Sequence, residues 1–97
     1  MIIYVDIDNT ITKTIDTDYI NATPRIDRIS ILNKLYFEGN TIIYWTARGS
    51  GSGIDYSELT KKQLDNWGCL YSEIKFDKPV YDLFIDDKAI NDNFYFL

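Results

Sequence analysis

The segment Ile2–Thr10 constrains this chain more than any other, because a short apolar run is followed directly by two carboxylates. The run Ile2 to Val5 is too short for a buried helix and rich in β-branched and aromatic side chains. It therefore predicts a strand covered on both faces, as in a parallel sheet. Asp6 and Asp8 follow this strand, and ligands of open α/β sheets bind just beyond the carboxyl ends of such strands. The two carboxylates are thus the first candidates for a functional site.

The next part of the chain predicts a flap, a helix and a second strand. Residues 11–22 are polar with scattered Thr, Ile and Tyr, which suggests a short hairpin or flap. Thr23-Pro24 supplies a helix N-cap followed by proline at the first helical position. Apolar residues then recur at helical spacing until Gly39, a C-terminal stop. The apolar run Thr41–Trp45 predicts a second strand, with Thr46 and Arg48 beyond its carboxyl end.

The C-terminal half repeats this layout. The segment Gly49–Gly53 reads equally well as a simple connector and as a lip that faces substrate. Asp55 and Glu58 resemble a capping box that opens a helix ending at Gly68. Two further strands and an apolar tail are expected after it: Tyr71–Phe76, Tyr81–Ile85, and residues 93–97 as core or dimer contact.

This alternation predicts one α/β domain over residues 1–97. The expected fold is a small Rossmann-like, three-layer sandwich with a mainly parallel, doubly wound sheet and right-handed crossovers. With 45% hydrophobic and 26% charged residues the composition is that of a globular protein. No apolar run approaches the roughly 20 residues needed to cross a bilayer, and no signal peptide is visible at Met1. We therefore expect a cytoplasmic protein with no membrane partner, in which the lone Cys69 is a small buried hydrophobe.

Charge and residue types narrow the chemistry. The net charge of −5 argues against nucleic acid as a partner bound by general electrostatics. The chain contains no histidine, which excludes Ser-His-Asp and Cys-His pairs, His-ligated zinc and imidazole acid–base work. Any chemistry must use carboxylates, hydroxyls, lysines and arginines, and such hard oxygen ligands favour Mg²⁺ over zinc.

Four polar clusters fall at or near the carboxyl ends of the expected strands. They are Asp6/Asp8, Thr46, Lys78 and Asp86/Asp87. One such cluster means little, since a lone Asp-x-Asp is also common in solvated loops and in the metal sites of glycosyltransferases. Four clusters at one edge of a sheet predict a single site.

The ordered set Asp6-Ile-Asp8-Asn-Thr10, Thr46, Lys78-Pro79 and Phe84-Ile-Asp86-Asp87 resembles the four motifs of the haloacid dehalogenase-like (HAD) hydrolase superfamily. Most members of that superfamily are Mg²⁺-dependent phosphatases. The run from Lys78 to Asn91 is most similar to small bacterial phosphatases associated with capsule and surface-polysaccharide biosynthesis. Asn9 departs from the pattern, because many members have glycine there.

The resemblance implies a role for each matched residue. Asp6 would be the nucleophile that forms an aspartyl phosphate, and Asp8 the general acid and base. Thr46 would donate its hydroxyl or backbone N–H to the phosphoryl oxygens, and Lys78 would supply a fixed positive charge. Three further residues are substrate-side candidates: Thr10, which could order the turn, and Arg48 and Arg25, which could contact the leaving group or be plain surface arginines.

The expected metal is Mg²⁺. Its ligands would be the Asp6 carboxylate, the Asp8 backbone carbonyl and Asp86, with Asp87 binding directly or through a water. Without a metal, the carboxylates of the four aspartates would repel a phosphate monoester. The charge of Mg²⁺ and Lys78 would offset that repulsion.

The intervals between the motifs leave no room for a cap domain, so we expect an open site. It would serve a phosphorylated small molecule, such as a sugar phosphate or related polysaccharide precursor, and a homo-oligomer could cover it. Two alternatives remain at this point. One is a non-catalytic phosphate- or metal-binding regulatory module of the same fold, and the other is a nucleotide-sugar transferase, for which 97 residues leave little room.

Overall fold

The computed structural model describes residues 1–97 and contains a three-stranded parallel sheet, a small hairpin and three helices. The elements in chain order are β1 (Ile2–Val5), β2 (Thr12–Lys13), a 3₁₀ turn (Tyr19–Asn21), β3 (Thr23–Pro24), α1 (Ile26–Phe37), β4 (Thr41–Trp45), α2 (Ser57–Asn66), β5 (Glu73–Lys75) and α3 (Asp92–Tyr95). The sheet has the order β1-β4-β5 with both pairs parallel. The chain is therefore a small α/β fold with a mainly parallel sheet, as predicted.

Both long helices pack on the same face of the sheet. Ile29 of α1 and Leu64 of α2 share one hydrophobic core with Val5, Ile42 and Tyr44 of the strands. The strands advance in one direction, so right-handed crossovers place both helices on one side. On the opposite face Tyr4 stays 51% exposed. The prediction of a doubly wound, three-layer sandwich is thus corrected to two layers within this chain.

The helix starts differ from those predicted, whereas the helix ends agree. Thr23 and Pro24 do not begin α1 but form β3, which pairs antiparallel with β2, so the predicted flap is a hairpin. α2 begins at Ser57, because Asp55 accepts a hydrogen bond from the Ser57 N–H at 2.9 Å and forms a turn ahead of the helix. Gly39 and Gly68 follow the helices with positive φ, as a C-terminal stop requires.

Residues 79–91, here called the C-terminal arm, contain no strand. The predicted third strand is present as β5, but the predicted fourth strand, Tyr81–Ile85, does not form within the chain. No backbone N–H or C=O from residue 79 to residue 90 takes part in a backbone–backbone hydrogen bond. Leu83 and Ile85 are 75% and 89% exposed.

Beyond the arm, the chain returns to α1. The Arg28 guanidinium donates to the Asp92 carboxylate at 2.6 Å and lies 4.8 Å from the centre of the Phe96 ring. Phe96 packs against the core while Phe94 is 73% exposed. The tail is thus core contact at one residue of the segment 93–97 and exposed at others. Cys69 is a buried free thiol, as expected.

No helix of this fold has both the length and the apolar character that crossing a bilayer requires.

Candidate active site

Asp6 stands at the carboxyl end of β1 with one cation and one hydroxyl on its carboxylate. Oδ1 accepts from the Lys78 ammonium at 3.3 Å, and Oδ2 accepts from the Thr10 hydroxyl at 3.1 Å. The Asp6 side chain keeps 35% of its surface exposed. A carboxylate held in one orientation and still open to solvent can attack a bound electrophile or bind a metal ion.

The turn after Asp8 depends on Asn9, which has φ +61°. Asparagine tolerates this left-handed conformation better than other non-glycine residues, so the departure from glycine preserves the turn. The Asn9 side chain accepts from the Thr14 N–H at 3.0 Å, and its backbone N–H donates to the Thr12 hydroxyl at 3.2 Å. Thr12 of β2 and the adjoining Thr14 therefore hold the turn that follows Asp8.

Both carboxylate oxygens of Asp8 accept hydrogen bonds from neighbouring side chains. Arg48 donates to both carboxylate oxygens, from Nε and Nη2, each at 2.9 Å. The Thr14 hydroxyl adds a third hydrogen bond at 2.7 Å. Such a bidentate guanidinium–carboxylate pair is among the stronger polar contacts in proteins. The sequence predicted neither this pair nor the role of Thr14.

Arg48 is buried, which differs from its predicted contact to a leaving group. Its side chain has no exposed surface, and Nη1 donates to the Thr60 hydroxyl at 3.2 Å and to the Gln63 amide oxygen at 2.6 Å. Its guanidinium carbon lies 4.8 Å from the centre of the Tyr19 ring. Arg48 therefore connects α2, the flap and Asp8, and its hydrogen bonds position Asp8.

The flap is fixed to α2 at the same place. Gln63 donates through its amide nitrogen to the Tyr19 carbonyl at 2.6 Å. Burial, and then the nearby Asp8 carboxylate, raise the pKa of the Tyr19 hydroxyl. Tyr19 thus presents a neutral hydroxyl to the site. No sequence signal identified Tyr19 or Gln63, because their positions depend on contacts between distant segments.

Thr46 is buried at the end of β4, and only its hydroxyl remains available as a donor. Its N–H donates to the Lys75 carbonyl at 3.0 Å, and its Oγ accepts from the Arg48 N–H at 3.1 Å. Of the two donors predicted for this residue, the backbone N–H is already used. The Ala47 N–H makes no hydrogen bond within the chain and is a second donor beside the cleft.

Lys78 is held on two sides. Its N–H donates to the Thr46 carbonyl at 3.2 Å, and the Ser50 hydroxyl donates to its carbonyl at 2.7 Å. Burial opposes the charge on its ammonium, but the Asp6 carboxylate and the Tyr81 side chain outweigh burial and raise the pKa of Lys78. The result is a fixed cation 3.3 Å from Asp6.

These residues surround a cleft of about 240 Å³. The predicted residues Asp6, Asp8, Thr46, Arg48 and Lys78 all line it. Residues that were not predicted line it as well: Asp16, Tyr19, Ala47, Pro79, Val80 and Tyr81. The Gly49–Gly53 segment does not line the cleft, and its Ser50 instead holds the Lys78 backbone. The structure therefore supports the interpretation of this segment as a connector and not as a lip that faces substrate.

Four other candidates lie outside the cleft lining. The Thr10 hydroxyl donates to the Asp6 carboxylate, and Arg25 is the N-cap residue of α1. Asp86 and Asp87 belong to the exposed C-terminal arm. The Asp86 carboxylate accepts only from the Lys88 N–H, at 2.7 Å. The acidic pair therefore does not meet Asp6 within one chain, contrary to the sequence expectation.

The oxygen donors of the cleft suit Mg²⁺ in type but are too few within one chain. Carboxylate, carbonyl and hydroxyl oxygens are the ligands this ion takes. No three acidic, histidine or cysteine side chains converge on one point. The Asp8 carboxylate is bound to Arg48, and Asp86 and Asp87 lie in the arm, so of the four predicted metal ligands only Asp6 offers a free carboxylate at the cleft. Asp16 adds a second exposed carboxylate to the cleft lining.

A comparison with known proteins finds one clear structural likeness. The crystal structure of a structural-genomics target from Vibrio cholerae superposes with a TM-score of 0.86 at 29% sequence identity, over 98% of this chain and 86% of the other. A superposition of that extent includes residues of the C-terminal arm. No protein-family model matches the chain, and a search of curated proteins finds no match. The likeness supports the α/β fold and carries no information about a reaction.

Proposed function

We propose that this chain is a Mg²⁺-dependent phosphomonoesterase of the HAD type that acts through an aspartyl phosphate on Asp6. One observation carries the proposal: the Asp6 carboxylate is exposed to a small cleft while Lys78 and Thr10 fix its orientation. The proposed substrate is a sugar phosphate or related polysaccharide precursor, as the resemblance of the sequence motifs suggests, and the cleft of about 240 Å³ accommodates its phosphoryl group.

The proposed reaction has two steps. A carboxylate oxygen of Asp6 attacks phosphorus, the bond to the leaving oxygen breaks, and that oxygen takes up a proton. Water then attacks the phosphorus of the aspartyl phosphate, which releases inorganic phosphate and restores the Asp6 carboxylate. Lys78 and the Thr46 hydroxyl would bind the phosphoryl oxygens, where negative charge develops. Because Asp6 and the substrate are both anionic, attack is opposed by repulsion that one lysine offsets only in part.

Mg²⁺ would supply the missing positive charge and hold substrate oxygens in place. Asp6 through its carboxylate and Asp8 through its backbone carbonyl could hold it beside the cleft. The Asp8 side chain is bound to Arg48 and is not available.

One observation favours the alternative, a module that binds phosphate or metal without turnover. Asp8 accepts three hydrogen bonds, two of them from a buried guanidinium. Arg48 and Thr14 thus occupy both carboxylate oxygens of Asp8, which suits a side chain that positions the site more directly than one that delivers a proton. Delivery of a proton to the leaving oxygen is therefore the step that distinguishes the two proposals.

The experiment is a screen of phosphate monoesters with Mg²⁺, with EDTA, and with Mg²⁺ restored. We expect hydrolysis that EDTA abolishes and that Asp6→Asn removes. The matched control is Asp27→Asn, which changes an exposed aspartate on α1 and should retain activity. Activity that persists in Asp6→Asn would exclude the nucleophile, and phosphate binding without hydrolysis of any ester would favour the regulatory module.

The role of Asp8 is tested with leaving groups of different acidity. An aryl phosphate needs little protonation of its leaving oxygen, whereas an alkyl phosphate needs much. If Asp8 is the general acid, Asp8→Asn should lose on the order of 10²–10⁴-fold on alkyl esters and clearly less on the first step with aryl esters. Equal losses on both would assign Asp8 to positioning through Arg48, with the acid elsewhere.

A further inference from the structure

The C-terminal arm has no regular secondary structure and carries several exposed apolar side chains. Leu83, Ile85 and Ile90 are 75%, 89% and 60% exposed. The backbone from residue 79 to residue 90 makes no hydrogen bond to other backbone groups. A run of exposed branched and aromatic residues with unpaired backbone has the character of a strand that lacks its neighbour.

The sheet has an open edge to which such a strand could add. β1 pairs with β4 on one side and with nothing on the other. Near this edge Ile2 is 71% exposed, and Ile31 on α1 is 46% exposed. Asn33, which contacts the Gly68 carbonyl and the Leu70 N–H, marks the side of α1 that faces α2. Ile31 precedes it by two positions and so lies nearly opposite around the helix, towards the open edge.

The arm cannot add to this edge of its own chain in the parallel sense. Lys78 is held at the carboxyl edge of the sheet by Thr46 and Asp6. A parallel strand aligned with β1 would have to place Tyr81 at the level of Met1, roughly 16 Å away along the strand direction. The three residue steps from Lys78 to Tyr81 span at most about 11 Å. An antiparallel strand would fit the connection but would carry Asp86 to the wrong end of the sheet.

We propose that residues 81–85 of one copy add as a parallel strand to β1 of a second copy, and that Asp86 and Asp87 thereby reach the site of that second copy. Aligning Asp86 with Asp6 places Ile85 beside Val5 and Leu83 beside Ile3. Successive side chains of a strand point to opposite faces, so Leu83 and Ile85 would share the helix-covered face with Ile3 and Val5. The most exposed apolar residues of the arm would then be buried.

Two copies can exchange arms reciprocally. Each arm and each open β1 edge is then paired once, so the assembly is a closed dimer. The pairing rests on the exposed arm and the open edge alone. The role of Asp86 and Asp87 as metal ligands rests on the proposed function, because their carboxylates would join Asp6 as oxygen ligands of Mg²⁺.

The first test is the molar mass in solution, by light scattering after size exclusion over a wide range of concentration. We expect a dimer that Ile85→Asp converts to a monomer. The matched control is Ile20→Asp, which changes an isoleucine 74% exposed outside the arm and should leave the dimer intact. Circular dichroism checks that both variants are folded. A monomeric wild type, or equal dissociation of both variants, would overturn the pairing.

The second test mixes Asp6→Asn with Asp86→Asn and follows Mn²⁺ binding by electron paramagnetic resonance. In exchanged dimers, a mixed pair holds one site with both aspartates intact. Random mixing should restore tight binding in about a quarter of the sites, because about half of the dimers are mixed. If Asp86 served its own chain, or no chain, mixing would restore nothing.

The two tests separate the proposals. A dimer that depends on Ile85 but whose mixed variants bind no Mn²⁺ would overturn the role given to Asp86 and leave the strand pairing in place. A monomeric wild type that hydrolyses phosphate esters would overturn the pairing and leave the proposed function in place.

Discussion

The ion pair between Arg48 and Asp8 should be the polar contact on which this fold depends most. The guanidinium has no exposed surface, whereas the Asp8 side chain keeps 21% of its own. Replacing Arg48 by Met keeps much of the buried volume but leaves a half-enclosed carboxylate without its cation. It also removes the donors to Thr60 and Gln63, so that Arg48 no longer joins α2 to the flap and the Gln63–Tyr19 hydrogen bond remains.

The magnitude follows from the burial of the pair. Removing one partner of a buried ion pair costs about 3–5 kcal/mol. Asp8 retains the Thr14 hydroxyl and contact with water in the cleft, so the low end, about 3 kcal/mol, applies. For a domain of this length each kcal/mol lowers the melting temperature by about 4–8 °C, which gives a fall of roughly 12–24 °C. Thermal unfolding by circular dichroism and urea unfolding both measure it.

The chain offers a matched control in Lys61 and Asp65, an ion pair of the same 2.9 Å length that is largely exposed. Lys61→Met should change the melting temperature little, because exposed pairs are screened and flexible. A double-mutant cycle over Arg48→Met and Asp8→Asn should show strong coupling, since the two side chains share a contact. If Arg48→Met is no more destabilising than Lys61→Met, burial does not decide the strength of this pair and the reasoning is wrong.

Three further outcomes are expected. Because the Asp6 carboxylate and Tyr81 outweigh burial and raise the pKa of Lys78, its ion pair should stabilise the fold at neutral pH. That contribution should be lost as pH rises through the raised pKa, so Lys78→Met should show a smaller alkaline decrease in unfolding free energy than the wild type. Burial raises the pKa of the Cys69 thiol to about 11, so Ellman's reagent at pH 8 should label it only after urea unfolding. Gly49→Ala should destabilise the fold far more than Gly39→Ala: both have positive φ, but a Cβ at Gly49 would lie 2.1 Å from the Ile54 carbonyl oxygen while Gly39 has open space. Comparable urea midpoints for the two variants would contradict that steric account.

Short-range signals predicted two of the strands of the sheet with their observed bounds. Ile2–Val5 and Thr41–Trp45 are found as strands with the bounds that their apolar runs indicate, and the glycines that end the helices stand where the apolar periodicity stops. The helix starts were less predictable. Thr23-Pro24 carries the signal of an N-cap, but pairing with β2 competes for the same residues, and a contact between distant segments decides the outcome.

The site shows the same division. Asp6, Thr46 and Lys78 were predicted to lie together because the topology of a parallel sheet brings strand ends to one edge. All three line the cleft. Tyr19, Thr14 and Gln63 were not found, because a flap and a helix flank reach the site only through tertiary contacts. Arg48 was predicted as a contact to the leaving group, whereas in the structure it positions Asp8. Its position after β4 was visible in the sequence, whereas its burial against Asp8 was not.

The absence of the predicted fourth strand, Tyr81–Ile85, from its own chain's sheet could have been anticipated from the spacing of the motifs alone. Lys78 must stand at the carboxyl edge of the sheet if it is to meet Asp6, and only Pro79 and Val80 separate it from Tyr81. A parallel neighbour of β1 needs a crossover of about a dozen residues or more, so one chain cannot satisfy both the lysine motif and the acidic motif at the same site. The structure satisfies the lysine motif and leaves the acidic motif in the exposed arm. Under the proposed function and the proposed exchange of arms, a second chain would supply the acidic motif.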